Sequence, residues 1–313
     1  MKVLCAKHLG FCLGARRAVH LAEETTRRAG SVFSLGPLIH NRQTVDRLAQ
    51  TGVTVVDSPE ELGDGPVLIR AHGLDPATTA RLTERCTGVV DATCVLVRRA
   101  QSAVQTLHEE GYRVVVIGEA DHPEVQGIVG YAPDVFVVGT PEEVERLPRS
   151  SRLGVVGQTT LPQETFAEMI GLIAARPFRE LKVVNTLCRE VDRRLEAARV
   201  LCRHVDVMFV LGGLHSANTR RLAQVCRAQG VPTYHLEDWS SFRSAYVAGR
   251  RVAGVTAGAS TPDWIIETFV ENLARLALDT AGTATRCGSR RDPRASLGPL
   301  SQGLDGDAPP EGK

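Results

Sequence analysis

One cysteine-to-glycine spacing occurs three times in this chain, and it limits the fold more than any other feature. Cys12, Cys94 and Cys188 each follow a short apolar run, and Gly36, Gly118 and Gly212 stand 24 residues further on. Four residues past each glycine comes a polar side chain: His40, His122 and Ser216. Each repeat also contains a short polar turn after an apolar run. These turns are Arg70-Ala71-His72-Gly73, Gly157-Gln158-Thr159-Thr160 and Thr256-Ala257-Gly258-Ala259-Ser260. A fixed offset met three times is the signature of repeated supersecondary units.

The apolar runs predict twelve strands. They are Lys2–Cys5, Val32–Leu35, Val53–Val56, Val67–Arg70, Gly88–Asp91, Arg113–Ile117, Val135–Val138, Leu153–Val156, Lys182–Asn185, Asp206–Leu211, Pro232–His235 and Arg251–Val255. Most are apolar at successive positions, as in strands of a parallel sheet covered on both faces. Helical periodicity lies between them. Ala15, Ala18, Val19 and Ala22 form one stripe, with Arg16, Arg17, Glu23 and Glu24 off it. The pattern is α/β, with the strands falling four, four and four into three similar lobes. The lobes are expected at 1–93, 94–187 and 188–281. Residues 282–313 are read as a disordered tail, rich in Gly and Pro and without periodicity. Its Cys287 is given no role.

Composition narrows the partners. Thirty-seven Lys and Arg balance 36 Asp and Glu, and aromatics are 4%. No basic footprint or stacking platform for nucleic acid is expected. No apolar run reaches a membrane-spanning length, so no membrane partner is expected. The first residues read as a strand, without a signal-peptide core, which points to the cytoplasm. In that compartment the eight cysteines suit metal ligation, catalysis or core packing better than disulfides. Core packing is the reading for Cys5, Cys202 and Cys226, and Cys86 is given no role.

Three repeats facing one axis would bring Cys12, Cys94 and Cys188 together past the carboxyl ends of the strands, where open α/β sheets bind ligands. Three thiolates suit soft metals, either zinc or an iron–sulfur cluster. Four cysteines close a 4Fe–4S cluster, so three leave one iron for a substrate. The bland alternative is three cysteines that are merely buried. Gly10 and Gly14 flank Cys12 and let backbone approach a bulky group. His40, His72, His122, Ser216, Asn218 and Ser260 would ring the thiols with hydrogen-bonding groups suited to an anion. No Walker A or G-x-G-x-x-G motif occurs, so nucleotide phosphates are not indicated. Glu124 could donate a proton if burial raises its pKa, or it could simply begin a helix after Pro123. Thr159 could relay a proton or cap a helix.

Taken together, Gly10-Phe-Cys-Leu-Gly, Ile39-His-Asn-Arg, Ala71-His-Gly, Asp91-Ala-Thr-Cys, His122-Pro-Glu-Val, Gln158-Thr-Thr, Ser216-Ala-Asn and Gly254-Val-Thr-Ala-Gly-Ala-Ser resemble the IspH/LytB family of 4-hydroxy-3-methylbut-2-enyl diphosphate reductases. The resemblance runs in order over about residues 1–280. It implies a pseudo-threefold trefoil around one 4Fe–4S cluster per chain, ligated by Cys12, Cys94 and Cys188. It implies a substrate diphosphate held by His40, His72, His122, Thr159, Ser216, Asn218 and Ser260, with Glu124 and Thr159 delivering protons. The implied reaction removes an allylic hydroxyl with two electrons and two protons. Its products are isopentenyl and dimethylallyl diphosphate, at the last step of the methylerythritol phosphate route. The implied electron donor is a ferredoxin or flavodoxin.

Some positions depart from the family pattern. Ala217 stands where serine is usual, Val191 where threonine is usual, and Val95 where proline is usual. Arg98–Gln101 replaces a Thr-Lys-x-His run, and Arg220 replaces asparagine. The arginines motivate a second reading, a paralogue reducing another allylic or phosphorylated substrate. A non-catalytic iron–sulfur sensor and a zinc protein are further alternatives.

Overall fold

The computed structural model describes residues 1–39 and 41–284, without the side chains of 217 and 277–284. Of the tail expected at 282–313, residues 282–284 instead continue the last helix, and the remainder, with Cys287, lies outside the described residues, as does His40.

The chain opens with β1 (Lys2–Cys5) and α1 (Leu13–Ala29). The first lobe follows as β2 (Val32–Leu35), α2 (Arg42–Gln50), β3 (Val53–Val56), β4 (Pro66–Ile69), α3 (Pro76–Arg85) and β5 (Gly88–Asp91). The second runs through α4 (Val95–Glu109), β6 (Arg113–Ile117), α5 (Pro123–Val129), β7 (Phe136–Val138), α6 (Pro141–Glu145), β8 (Arg152–Gly157), α7 (Gln163–Ala174) and β9 (Glu180–Val183). The third comprises α8 (Arg189–Cys202), β10 (Val207–Leu211), α9 (Ala217–Ala228), β11 (Thr233–Leu236), β12 (Val252–Ala257) and α10 (Asp263–Ala284).

The strands form three four-stranded sheets of one topology: β3-β2-β4-β5, β7-β6-β8-β9 and β11-β10-β12-β1. Every strand pair is parallel. The repeat therefore specifies three copies of one unit. One strand lies elsewhere than its place in the sequence suggests. β1, inside the expected lobe 1–93, pairs with β12, Lys2 beside Val252 and Cys5 beside Val255, and completes the third sheet. The strand before each cysteine is always the outer strand of the preceding sheet, and for the first repeat that sheet is built from the far end of the chain. β9 also begins two residues earlier than Lys182, where Glu180 pairs with the Arg152 guanidinium of β8 at 2.9 Å.

The continuous apolar runs are explained by burial on both faces. In β10, Val207, Phe209 and Leu211 pack into one cluster, and Met208 and Val210 into another. In β6, Val115 and Ile117 face one side, and Val114 and Val116 the other. In α1 the expected stripe is buried at Ala15, Ala18 and Ala22. Cys202 and Cys226 are buried core residues as expected. Cys5 is not: it is exposed, because β1 is an edge strand and its last residue lies where the sheet ends. Among the described residues, no helix is long and apolar enough to cross a membrane.

Candidate active site

Each of the three repeat cysteines leaves an outer strand and caps a long helix. Cys12 is the N-cap of α1, Cys94 of α4 and Cys188 of α8. Each cysteine thus ends one lobe and begins the first helix of the next. Their backbone amides are pinned alike. Cys12 N donates to Ala259 O at 2.9 Å, Cys94 N to Ala71 O at 2.9 Å and Cys188 N to Thr159 O at 2.7 Å. The acceptors lie in the three polar turns singled out in the sequence, so each turn fixes one cysteine.

The thiols converge. Cys12 and Glu124 each act electrostatically on the Cys94 thiol, and Cys12 and Cys94 on the Cys188 thiol. Gly14 lies between two of them: a Cβ there would come within 2.9 Å of Cys94 Sγ and 3.9 Å of Cys12 Sγ. Burial raises the Cys94 thiol pKa, and it pushes Cys188 up to about 11. The helix N-termini oppose this with their positive ends, which favour anionic ligands. Among the described residues, no three His, Cys, Asp or Glu side chains close to the spacing of one metal ion. Three thiols at three helix N-termini, two of them on either side of Gly14, suit a soft metal centre.

Glu124 lies in the first turn of α5 and is 2% exposed. Its two carboxyl oxygens meet Thr159: Thr159 N donates to Oε1 at 2.6 Å, and Thr159 Oγ1 donates to Oε2 at 2.9 Å. Burial raises its pKa, against the opposing effect of these two bonds. Glu124 thus both begins a helix and sits as a buried acid beside the thiols. Thr159 contacts both parts of the site, since its carbonyl accepts from Cys188.

The polar residues are placed by equivalent turns. His122 is the N-cap of α5, and its Nδ1 accepts from Glu124 N at 3.1 Å. That bond puts the proton of a neutral ring on Nε2. His72 follows β4, and its ring meets His122 edge-on with centroids 5.6 Å apart. Ser216 caps α9, with Oγ accepting from Thr219 N at 3.3 Å. Asn218 is in the first turn of that helix and is exposed, and Ser260 is half-buried in the turn after β12. The structure brings together Glu124, Thr159, His72, His122 and the cysteines. Ser216, Asn218 and Ser260 belong to the third lobe, at strand ends equivalent to those that carry the histidines.

The departing residues also have definite places. Arg98 is held by Asp91 at 2.8 Å on an exposed surface. Arg99 and Arg220 are exposed. Val191 packs against the core cluster beneath α8. One buried cation near the thiols, Arg194, was not singled out in the sequence. Its signal was available: an arginine on the face of a helix where the repeat elsewhere carries alanine.

A family model described as LytB protein matches residues 3–274. The chain belongs to the LytB family. Its family relatives include the 4-hydroxy-3-methylbut-2-enyl diphosphate reductase of Geobacter sulfurreducens, 44% identical over 87% of this chain and 97% of that protein. The enzyme of the same name from Citrifermentans bemidjiense is 44% identical over 89% of this chain and 99% of its own. Among solved structures, an (E)-4-hydroxy-3-methyl-but-2-enyl diphosphate reductase, described as the terminal enzyme of the non-mevalonate pathway, is 40% identical with a TM-score of 0.75. It is covered in full by 88% of this chain. A reductase structure from Plasmodium falciparum, at 24% identity and TM-score 0.76, shares the LytB fold.

Proposed function

We propose that the chain reduces 4-hydroxy-3-methylbut-2-enyl diphosphate to isopentenyl and dimethylallyl diphosphate. Two electrons and two protons enter, the allylic C–O bond breaks and water leaves. The observation that carries this reading is a buried carboxyl with a raised pKa beside three converging thiols, in a chain that matches reductases of that name along almost their whole length.

Cys12, Cys94 and Cys188 would hold one 4Fe–4S cluster per chain. The thiols fit it: they leave three helix N-termini, and the missing side chain of Gly14 gives the sulfurs room. When bound, such a cluster supplies single electrons and a Lewis-acidic iron for the alcohol.

The protein's own residues do the rest. Hydroxide is a poor leaving group, so a proton must reach the oxygen as the bond breaks. Burial keeps that proton on Glu124 more tightly than on an ordinary carboxyl. Thr159 fixes both carboxyl oxygens and so aims the acid. The diphosphate is anchored away from the breaking bond by His40, His72, His122, Thr159, Ser216, Asn218 and Ser260. Nε2–H of neutral His122 and the N-terminus of α9 are donors suited to phosphate oxygens. That binding energy orients the alcohol. Electrons would come from a donor protein such as ferredoxin or flavodoxin, in the cytoplasm. Arg98, tied to Asp91, gives no support to a different anionic substrate.

Anaerobic iron and sulfide quantification, combined with turnover driven by reduced viologen, tests the reading. Glu124→Gln is expected to lower turnover at least about 100-fold with the cluster content unchanged. A cluster-loaded wild type that leaves the diphosphate untouched would overturn it.

A further inference from the structure

The helices that follow the three cysteines can be compared position by position. Six residues after Cys12 is Ala18, and six after Cys94 is Ala100, both fully buried. Six residues after Cys188 is Arg194, also buried, at 6% exposure. Packing at this point of the repeat asks for a small apolar side chain. Arginine is costly here unless its charge and its donors are used.

Protein groups use them only in part. Glu190 Oε2 stands 3.6 Å from Arg194 Nη2, an ion-pair rather than a hydrogen-bond distance, and the Glu190 side chain is 25% exposed. Nε and Nη1 are buried without a hydrogen-bond partner among the described residues. Three N–H donors of a permanent cation therefore lack an acceptor. The groups that act on the guanidinium electrostatically are Cys12, Glu190 and Cys188. It thus lies within electrostatic reach of two of the three thiols, contributed by two different repeats.

We infer that Arg194 is a positioning residue for the redox centre: its buried positive charge lies within electrostatic reach of the sulfur ligands from Cys12 and Cys188 and, with three donors that no described protein group accepts, raises the reduction potential of the cluster they hold. Adding an electron makes the centre more negative by one unit, so a nearby buried cation favours the reduced form. Hydrogen bonds to the sulfurs act in the same direction. The inference rests on the proposed cluster ligation.

The test is an anaerobic potentiometric titration of the reconstituted holoprotein, followed by electron paramagnetic resonance, for wild type, Arg194→Met, Arg194→Gln and Arg194→Lys. At any fixed potential the ratio of reduced to oxidised centre is expected to fall at least tenfold in the Met and Gln variants, a shift of about 59 mV for one electron. The Lys variant is expected to stay within threefold of wild type. Met and Gln variants with wild-type iron content and wild-type midpoint would overturn the inference. If the neutral variants fold but hold no iron, the Lys variant decides. Iron retained with Lys supports the charge role, and equal loss with Lys overturns it in favour of packing. A wild-type protein that holds no iron–sulfur centre would instead count against the proposed function.

Discussion

The pairing of Glu124 with Thr159 shows what one side chain contributes at this site. The carboxyl is buried, yet both of its oxygens receive donors from a single residue whose own carbonyl holds the Cys188 amide. Thr159→Val keeps the backbone bonds and removes only the hydroxyl. A neutral hydrogen bond of this kind is worth about 1 kcal/mol, so kcat is expected to fall by roughly fivefold, which steady-state kinetics can check. The pKa of Glu124 also has a consequence for stability. Its folded value lies above the ordinary one, so the folded chain binds that proton more tightly than the unfolded chain does. This contribution is fully present below the ordinary carboxylate pKa and is lost as pH rises through the raised value. Urea midpoints of the cluster-free chain are therefore expected to fall with pH more steeply for wild type than for Glu124→Gln. Parallel curves would contradict the burial effect.

At the scale of elements, the helices after the cysteines do two jobs, core packing and ligand placement. Gly14 separates them. In a helix interior alanine is better than glycine by about 0.5–1 kcal/mol, and at the second residue of α1 the helix gains at most part of that from Gly14→Ala. The added Cβ, however, would stand 2.9 Å from Cys94 Sγ and 3.2 Å from Cys94 Cβ. In the free protein the thiol can turn aside and the Cys94 backbone can shift slightly to relieve the Cβ contact, whereas a ligated sulfur holds both in place. The expected outcome is an unchanged or higher thermal midpoint without cluster, together with a clear loss of iron per chain after reconstitution. These local features differ in how far the sequence betrays them. The alternation of apolar runs and helical stripes, and the recurrence of Cys12, Cys94 and Cys188, are one-dimensional patterns and could be read directly. The contact of Thr159 with Glu124 joins residues 35 apart in two turns, and no periodicity encodes it. Arg194 was hidden for another reason: polar residues on a helix are normally solvated, and only superposing the repeats shows that this one occupies an alanine's place.

The molecule as a whole is closed by its shortest-seeming detail. β1 leaves its sequence neighbours and completes the sheet of the last lobe, with Lys2 N bonded to Arg251 O and Ala6 N to Val255 O. Sequence periodicity counts repeats but does not say which sheet an outer strand joins, which is why β1 reads as part of the first lobe. The amides of Lys2 and Ala6 face β12, so by the two-residue alternation of a strand the Leu4 amide does too. Leu4→Pro removes that donor, at about 3 kcal/mol or more by analogy with other interior prolines, and it loosens the approach to Cys12. Cluster loading is expected to collapse while hydrogen exchange in β6 and β8 of the second lobe stays protected. Cys5→Ser, on the exposed end of the same strand, is expected to change neither. Each lobe passes to the next through one of these cysteines, and the last lobe passes back to the first through β1. An inorganic core gripped by all three sulfurs would therefore act as a keystone. The polypeptide links its lobes around the rim, but the cluster would clasp them to one another at the centre, so that the state of the metal and the rigidity of the whole ring become a single property.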